Sequence, residues 1–248
     1  GYGYFLMGLP WMVDSPGEWH FDPDANELRV RMFDNANPGT RIQVGQSLSG
    51  VVLNSRAYVT LDGIAIRRAA YGIEMKSSNG IIVRNCEISD IEKTGIDASG
   101  AIAPRIESNT ILRTGGDAIS GVSADWAIAR QMVATGNNIA ESGVRLFAGK
   151  TSGVPTPSIA AIHSGWDATI TNNVIAGTGH NGIYPLGTST IQNNYIQDGC
   201  LILDDCGGVY LNRDASNTQI VGNLILRLPG SIDGKPVPRS HAVGIYLD

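Results

Sequence analysis

The sequence is poor in charged residues, in aromatic rings and in long apolar runs. Of the 248 residues, 17% are charged and 6% are aromatic, whereas 42% are hydrophobic. So large a hydrophobic share excludes a disordered chain, which cannot bury enough apolar surface to fold. No apolar run approaches the ~18 residues that a membrane-spanning helix needs. The net charge of −5 and the lack of any Lys/Arg run predict neither a nucleic-acid nor a membrane partner.

Cysteine and processing signals are scarce as well. Cys86, Cys200 and Cys206 are odd in number and irregular in spacing, which argues against a disulfide framework and a zinc site. We interpret all three as small buried hydrophobic residues, and no cofactor is predicted. The chain has no initial Met and no signal peptide, and its last residues stop within a repeat. We therefore expect a piece of a longer protein, whose localisation must be inferred.

What the chain does contain is glycine, with 31 residues, and a repeat that starts near Val51. One column holds Asn, or Asp in the first copy: Asp62, Asn85, Asn109, Asn137, Asn173, Asn194 and Asn223. A second column holds a small residue followed by Ile or Val: Gly72-Ile73, Gly95-Ile96, Ala118-Ile119, Gly143-Val144, Gly182-Ile183, Gly208-Val209 and Gly244-Ile245. Successive members of the second column are 23, 23, 25, 39, 26 and 36 residues apart.

A period in the low twenties with insertions indicates a solenoid. The Leu pattern of leucine-rich repeats is missing, and short β-branched runs broken by Gly and Asn favour an all-β fold. We predict a right-handed parallel β-helix of about seven coils over residues 51–248. Stacked Asn amides can hydrogen-bond along the axis of such a helix, so the Asn column is interpreted as structural.

Residues 1–50 differ from the repeats and concentrate aromatic side chains. Two alternating runs, residues 19–21 and 27–32, flank a turn rich in Pro, Asp and Asn. This pattern predicts a β-hairpin. We interpret the segment as the end of an accessory or capping β-element.

Side chains alternate along a strand, so the residue after each small-apolar pair should point outward. This outward column reads Glu74, Asp97, Ser120, Arg145, Tyr184, Tyr210 and Tyr246, and two places further on lie Asn212 and Asp248. Tyr rings beside carboxylates suit a sugar, whose C–H faces stack on rings while its hydroxyls need polar partners. The alternative is a Tyr stack that only stabilises the sheet.

Candidate acid/base groups cluster at the turn that enters this strand: Asp117, Glu141, His180, Asp204 and Asp205. Glycoside cleavage needs two carboxylates, one as acid and one as base or nucleophile. Asp204 and Asp205 are alternatively turn caps, and His180 a turn residue with a structural role. Glu74 and Asp97 form a weaker alternative centre. The other histidines (His20, His163 and His241) are interpreted as structural or surface residues.

With these residues in place, the chain resembles a bacterial family of right-handed β-helix proteins that includes glycoside hydrolases of family 141. The family usually reads DDAGAIY and GIYLDD where this chain has DDCGGVY and GIYLD. The motifs that carry the resemblance are residues 16–19 (PGEW), 143–147 (GVRLF), His180, 204–210 (DDCGGVY), 213–214 (RD) and 244–248 (GIYLD).

The resemblance implies that Asp205, or Asp204, and Asp248 are the acid/base pair. If the turn before the strand does not curl inward, Asp214 becomes the partner of Asp248, with Arg213 as a substrate clamp. Substrate contacts are expected from His180, Tyr184, Tyr210, Tyr246, Asn212, Arg213 and Arg145. Cys206 departs from the usual Ala of the family.

The resemblance predicts a secreted or periplasmic hydrolase of a plant or microbial polysaccharide that requires no metal. Two alternatives stay open. One is a polysaccharide lyase or uronate epimerase, for which Ca²⁺ is a possible cofactor. The other is a carbohydrate-binding or adhesin β-helix without catalysis. The sequence leaves the sugar, the linkage and the oligomeric state open.

Overall fold

The computed structural model describes residues 9–45, 47–123, 125–144, 159–212, 215–232 and 239–248. The described residues before Gly45 form one compact unit, and those from Gly45 onward form a second. The first unit contains a 3-10 helix, Pro10–Met12, and the antiparallel strands β1 (Trp19–Asp22) and β2 (Glu27–Val30). The carboxylate of Asp22 accepts the backbone N–H groups of Asp24 and Ala25 and so stabilises the turn. The predicted hairpin is confirmed.

The second unit is a parallel β-helix whose coils contribute one strand to each of three sheets. Sheet 1 contains β4 (Thr60–Asp62), β7 (Ile82–Arg84), β10 (Arg105–Glu107), β13 (Val133–Thr135), β16 (Thr169–Thr171), β19 (Thr190–Gln192) and β22 (Gln219–Val221). Sheet 2 contains β5 (Ala65–Arg67), β8 (Glu87–Ile91), β11 (Thr110–Thr114), β14 (Asn138–Ser142), β17 (Val174–Thr178), β20 (Tyr195–Gln197) and β23 (Leu224–Leu226). Sheet 3 contains β3 (Ser47–Val52), β6 (Ala69–Glu74), β9 (Ile96–Asp97), β12 (Ile119–Ser120), β15 (Ala160–His163), β18 (Asn181–Tyr184), β21 (Cys206–Leu211) and β24 (Ala242–Leu247).

Each sheet sends one continuous apolar column into the core. In sheet 2 the register aligns Ile66, Ile88, Ile111, Ile139, Ile175, Ile196 and Ile225. The isoleucines of the middle coils are fully buried, and each contributes about 1.5–3 kcal/mol by leaving water. Each strand is only a few residues long and contributes the same inward position. The core therefore forms only when successive coils stack on one another. The predicted right-handed parallel β-helix is confirmed.

Five asparagines, of which all but the last are buried, form a ladder at the corner between sheets 1 and 2: Asn109, Asn137, Asn173, Asn194 and Asn223. The Nδ2 of Asn137 donates to the carbonyl oxygen of Ile106 and to Oδ1 of Asn173, both at 2.9 Å. The Oδ1 of Asn137 accepts the backbone N–H and the side-chain amide of Asn109, both at 3.0 Å. The structural interpretation of this column is confirmed for these five residues.

The first two predicted members of the Asn column were wrong. Asp62 aligns with Arg84 in sheet 1, so it lies on a strand rather than at the ladder position. Asn85 occupies the preceding left-handed turn position, with φ of 54°. Cys86 takes the ladder place in its coil, since its backbone N–H donates to Oδ1 of Asn109. Cys86 is buried with a free thiol, as the sequence predicted.

One member of the second column was also wrong. The coil that follows Ile119 contributes Ala161 and Ile162 to sheet 3 rather than Gly143 and Val144, because Ile119 pairs with Ile162 and Ile162 with Ile183. The chain inserts a segment before this strand, and small-apolar dipeptides occur on both sides of it. The sequence pattern fits both Gly143-Val144 and Ala161-Ile162, and the prediction took the first of them.

Candidate functional site

The outward column of sheet 3 changes character along the helix axis. Register places Glu74, Asp97 and Ser120 at its start, followed by His163, Tyr184, Tyr210 and Tyr246. His163 therefore occupies the place predicted for Arg145, and Arg145 itself lies outside the described residues. The prediction that Tyr184, Tyr210 and Tyr246 follow one another on successive coils is confirmed.

The start of the column is a closed ion cluster. Lys76 Nζ lies 2.7 Å from Glu74 and 3.3 Å from Asp97, and the Ser49 hydroxyl donates to Glu74. Both carboxylates are largely buried. Burial opposes the charged form of Lys76, but the Glu74 hydrogen bond and the Asp97 charge outweigh it and raise the pKa of Lys76. Both carboxylates are held by the same ammonium group, and Glu74 also by the Ser49 hydroxyl, which favours a structural role over catalysis.

The other half of the column is a continuous stack of rings. His163 and Tyr184 are parallel with centroids 4.7 Å apart, Tyr184 meets Tyr210 edge-on at 5.2 Å, and Tyr210 stacks on Tyr246 at 5.1 Å. His163 and Tyr184 are buried, and Tyr184 packs with Val122 and Leu186. The Tyr184 hydroxyl accepts from Nδ2 of Asn212 at 2.7 Å. Of these four rings, Tyr210 and Tyr246 are the two that are partly exposed to solvent.

These two tyrosines hold two carboxylates in a crossed arrangement. The Tyr246 hydroxyl donates to Oδ1 of Asp205, which belongs to the preceding coil, at 2.8 Å. The Tyr210 hydroxyl donates to Oδ2 of Asp248, which belongs to the following coil, at 2.5 Å. Because the rings stack, both carboxylates lie at the tips of one ring pair. We call these contacts the crossed Tyr–Asp pairs.

Asp205 reaches this position because the turn before β21 curls, with Asp205 itself in the left-handed region at φ of 62°. Asp205 and Asp248 are exposed, and within the described part of the chain each has one carboxylate oxygen without a hydrogen bond. The charges of both carboxylates act on both phenols. The site thus offers two acceptor groups above a partly exposed aromatic surface.

Burial, followed by the hydrogen bond to Asp248, raises the pKa of Tyr210. The hydrogen bond to Asp205 raises the pKa of Tyr246. In the unfolded chain both phenols return to about 10, so the folded state binds more protons above that pH. Their contribution to stability is therefore complete below about pH 10 and is lost as pH rises through the folded pKa values.

We expect the melting temperature to fall at alkaline pH, and to fall less steeply in Tyr246→Phe and Tyr210→Phe than in the wild type. Thermal unfolding between about pH 8 and pH 11 measures this difference. Tyr58→Phe is the matched control because Tyr58 is 79% exposed. Equal slopes in all three variants would contradict the crossed Tyr–Asp pairs.

Asp204 and His180 take part in the turn rather than in the exposed face. Asp204 is buried and accepts the backbone N–H of His241 at 2.7 Å and the Ser240 hydroxyl at 3.2 Å, which ties its turn to the next coil. His180 is buried too, and its Nε2 lies 3.1 Å from the carbonyl oxygens of Asp204 and Asp205. Of the adjacent aspartates, Asp205 is the one presented outward.

Cys200 and Cys206 are buried as predicted, but the argument against a disulfide was wrong for this pair, since they form one. The six-residue separation allows this because the intervening chain turns back on itself. Arg213 and Asp214, predicted as clamp and alternative acid, lie outside the described residues. Sequence reasoning also missed His163, although Ala161-Ile162-His163 fits the small-apolar pattern.

The described residues contain no group of three or more His, Cys, Asp or Glu side chains placed to hold a metal ion. Within the same part of the chain, no helix is long and apolar enough to cross a membrane.

Comparison with protein-family models agrees with the fold. A family model described as a right-handed β-helix region matches residues 34–154. A crystal structure of an alginate lyase from Paenibacillus sp. str. FPU-7 is similar over 79% of each chain, with 17% sequence identity and a TM-score of 0.49. No curated protein matches the chain. Fold and register together define a right-handed parallel β-helix protein.

Proposed function

We propose that this chain is a carbohydrate-active enzyme that hydrolyses glycosidic bonds, with Asp205 and Asp248 as its acid/base pair. The observation that carries the proposal is the pair of crossed Tyr–Asp contacts, which bring two exposed carboxylates from adjacent coils to one surface. Glycoside hydrolysis requires two such carboxylates on either side of the scissile bond. We also propose that the chain is related to the glycoside hydrolases of family 141.

The spacing of the coils suits this chemistry. Parallel strands lie about 4.8 Å apart, and retaining glycosidases place their carboxyl groups ~5–5.5 Å apart, whereas inverting ones need ~6.5–9.5 Å. A pair of carboxylates from neighbouring coils is therefore compatible with this chemistry. The left-handed turn at Asp205 supports the proposed pair, because it brings Asp205 to the Tyr246 hydroxyl of the coil that carries Asp248.

The tyrosines have two tasks in this proposal. Their O–H groups hold Asp205 and Asp248 in orientation, and the partly exposed ring surface offers apolar contact for the C–H groups of a sugar. Both phenols have a raised pKa, so they stay protonated and remain donors across neutral pH. Asn212 donates a hydrogen bond to the Tyr184 hydroxyl and so holds the ring next to Tyr210 in the stack.

The proposed substrate is a polysaccharide or oligosaccharide, and the proposed location is secreted or periplasmic. The Cys200–Cys206 disulfide supports that location because disulfides persist in oxidising compartments.

The test is an assay of products on a panel of neutral and uronate-containing polysaccharides, with the Asp205→Asn/Asp248→Asn double variant as blank. We expect new reducing ends from the wild type, none from the blank, and no ultraviolet absorbance of an unsaturated sugar. Release that creates such absorbance and stops with a calcium chelator would instead establish a lyase. Binding without turnover, equal in both proteins, would establish a carbohydrate-binding scaffold.

A further inference from the structure

We propose that the Cys200–Cys206 disulfide and the His180 ring are positioning groups for Asp205. The inference rests on the proposed function, because it gives that catalytic carboxylate a defined frame. The disulfide closes a loop of seven residues that contains both Asp204 and Asp205. Both cysteines are fully buried, whereas Asp205 at the edge of the loop is exposed.

The first half of this loop is tied to the chain segment just before His180. The backbone N–H of Cys200 donates to the carbonyl of His180, and that of Leu201 donates to Thr178, both at 3.0 Å. The N–H groups of Ile202 and Leu203 both donate to the Gly179 carbonyl at 2.9 Å. The loop therefore begins as a fixed structure.

The second half of the loop is tied to the next coil, because the Asp204 carboxylate accepts the backbone N–H of His241 and the backbone N–H of Cys206 donates to the His241 carbonyl. The His180 ring adds a contact to the loop backbone at Asp204 and Asp205. Its Nε2 lies within 3.1 Å of the carbonyl oxygens of Asp204 and Asp205, and carbonyl oxygens only accept. Nε2 must therefore carry the proton. The His180 ring therefore contacts the backbone of Asp205, the residue whose carboxylate is proposed to be catalytic.

Asn181 fixes the same tautomer of His180. The Asn181 Oδ1 accepts the backbone N–H of Gly207 at 2.9 Å, so its Nδ2 is the group that faces Nδ1 of His180 at 3.2 Å. Nδ2 donates and Nδ1 accepts. Asn181 is fully buried and His180 is nearly so, which shields these hydrogen bonds from solvent.

The disulfide constrains the loop on the C-terminal side of Asp205. Cys206 is the first residue of β21 and comes directly after Asp205, so the bond ties the end of the loop to Cys200. Asp205 is thereby held between a ring contact at its carbonyl and a covalent bond at the next residue. Its backbone stays left-handed, and Oδ1 meets the Tyr246 hydroxyl.

The experiment is a double-mutant cycle between Cys200→Ser/Cys206→Ser and Asp205→Asn, measured well below the melting temperature of each variant. Loss of the disulfide is expected to lower kcat about 10- to 100-fold with KM within about two-fold, since a misplacement of about 1 Å costs that much. In the Asp205→Asn background the same loss should change kcat less than about two-fold. Cys86→Ala, which removes a buried sulfur and leaves the disulfide, is the matched control.

A second readout needs no turnover. The ¹³Cζ shift of Tyr246, assigned with Tyr246→Phe, reports the phenol pKa that the Asp205 hydrogen bond raises. That pKa should move toward its ordinary value in the disulfide variant and in His180→Ala, and move less in His180→Gln, which keeps an N–H donor. An unchanged Tyr246 pKa, or fully additive kcat losses, would overturn the positioning role. An inactive wild type would refute the proposed function alone.

Discussion

Asp205→Asn and Asp248→Asn are each expected to lower kcat by about 100-fold or more on a glycan that the wild type cleaves, because each removes a group that moves a proton. Asn keeps the size of Asp and still accepts the hydrogen bond from Tyr246 or Tyr210. The fold and the ring stack should therefore persist. Steady-state kcat and KM, with the melting temperature of each variant, measure this expectation.

Two control variants distinguish this site from general electrostatic effects. Asp62→Asn changes an exposed carboxylate on sheet 1 that pairs with Arg84, and it should leave kcat within about two-fold. Asp97→Asn alters the ion cluster around Lys76 and should lower stability more than kcat. If Asp97→Asn abolishes turnover while Asp205→Asn does not, the reaction takes place at the Glu74 and Asp97 end of sheet 3.

Asn137→Ala is expected to lower the free energy of unfolding by about 3 kcal/mol. The change leaves the backbone N–H and the side-chain amide of Asn109 without their acceptor, and removes the donor to the Ile106 carbonyl. Each buried polar group left without a partner costs about 1–3 kcal/mol. Urea denaturation followed by circular dichroism and by Trp fluorescence measures the loss.

Asn138→Ala is the matched control for that prediction. Asn138 is the next residue, lies on the exposed side of β14 and makes no side-chain hydrogen bond to the described residues. Its replacement should change stability by no more than about 0.5 kcal/mol. Equal effects at Asn137 and Asn138 would mean that the ladder amides contribute little beyond the backbone pairing.

The crossed Tyr–Asp pairs show how far sequence reasoning extends into the site. The resemblance singled out Asp205 and Asp248, and alternation along a strand placed Tyr210 and Tyr246 outward on adjacent coils. The crossing itself was not predictable, because it depends on the left-handed turn at Asp205 and on the stacking of the two rings. The burial of Tyr184 and Asp204 likewise depends on neighbours from other coils.

Errors occurred where the repeat is interrupted or where two residues meet through space. His163 takes the place assigned to Arg145 because an insertion separates two equally plausible small-apolar pairs, and only strand pairing selects one. Cys86 rather than Asn85 aligns with Asn109, because a one-residue shift at a turn is invisible in a spacing of about 23 residues. The Cys200–Cys206 disulfide depends on a turn whose curvature spacing does not specify.

By itself, the sequence determined the solenoid, its inward isoleucine columns and most of its Asn ladder. Those features repeat every coil, so each copy reports the same local environment and the pattern is visible along the chain. Only the tertiary structure decided the register of sheet 3, the crossed contacts of Asp205 and Asp248, and the loop that the disulfide closes. The register and the crossed contacts depend on coils that lie tens of residues apart, and the disulfide depends on the curvature of a single turn, so no repeated local pattern encodes them.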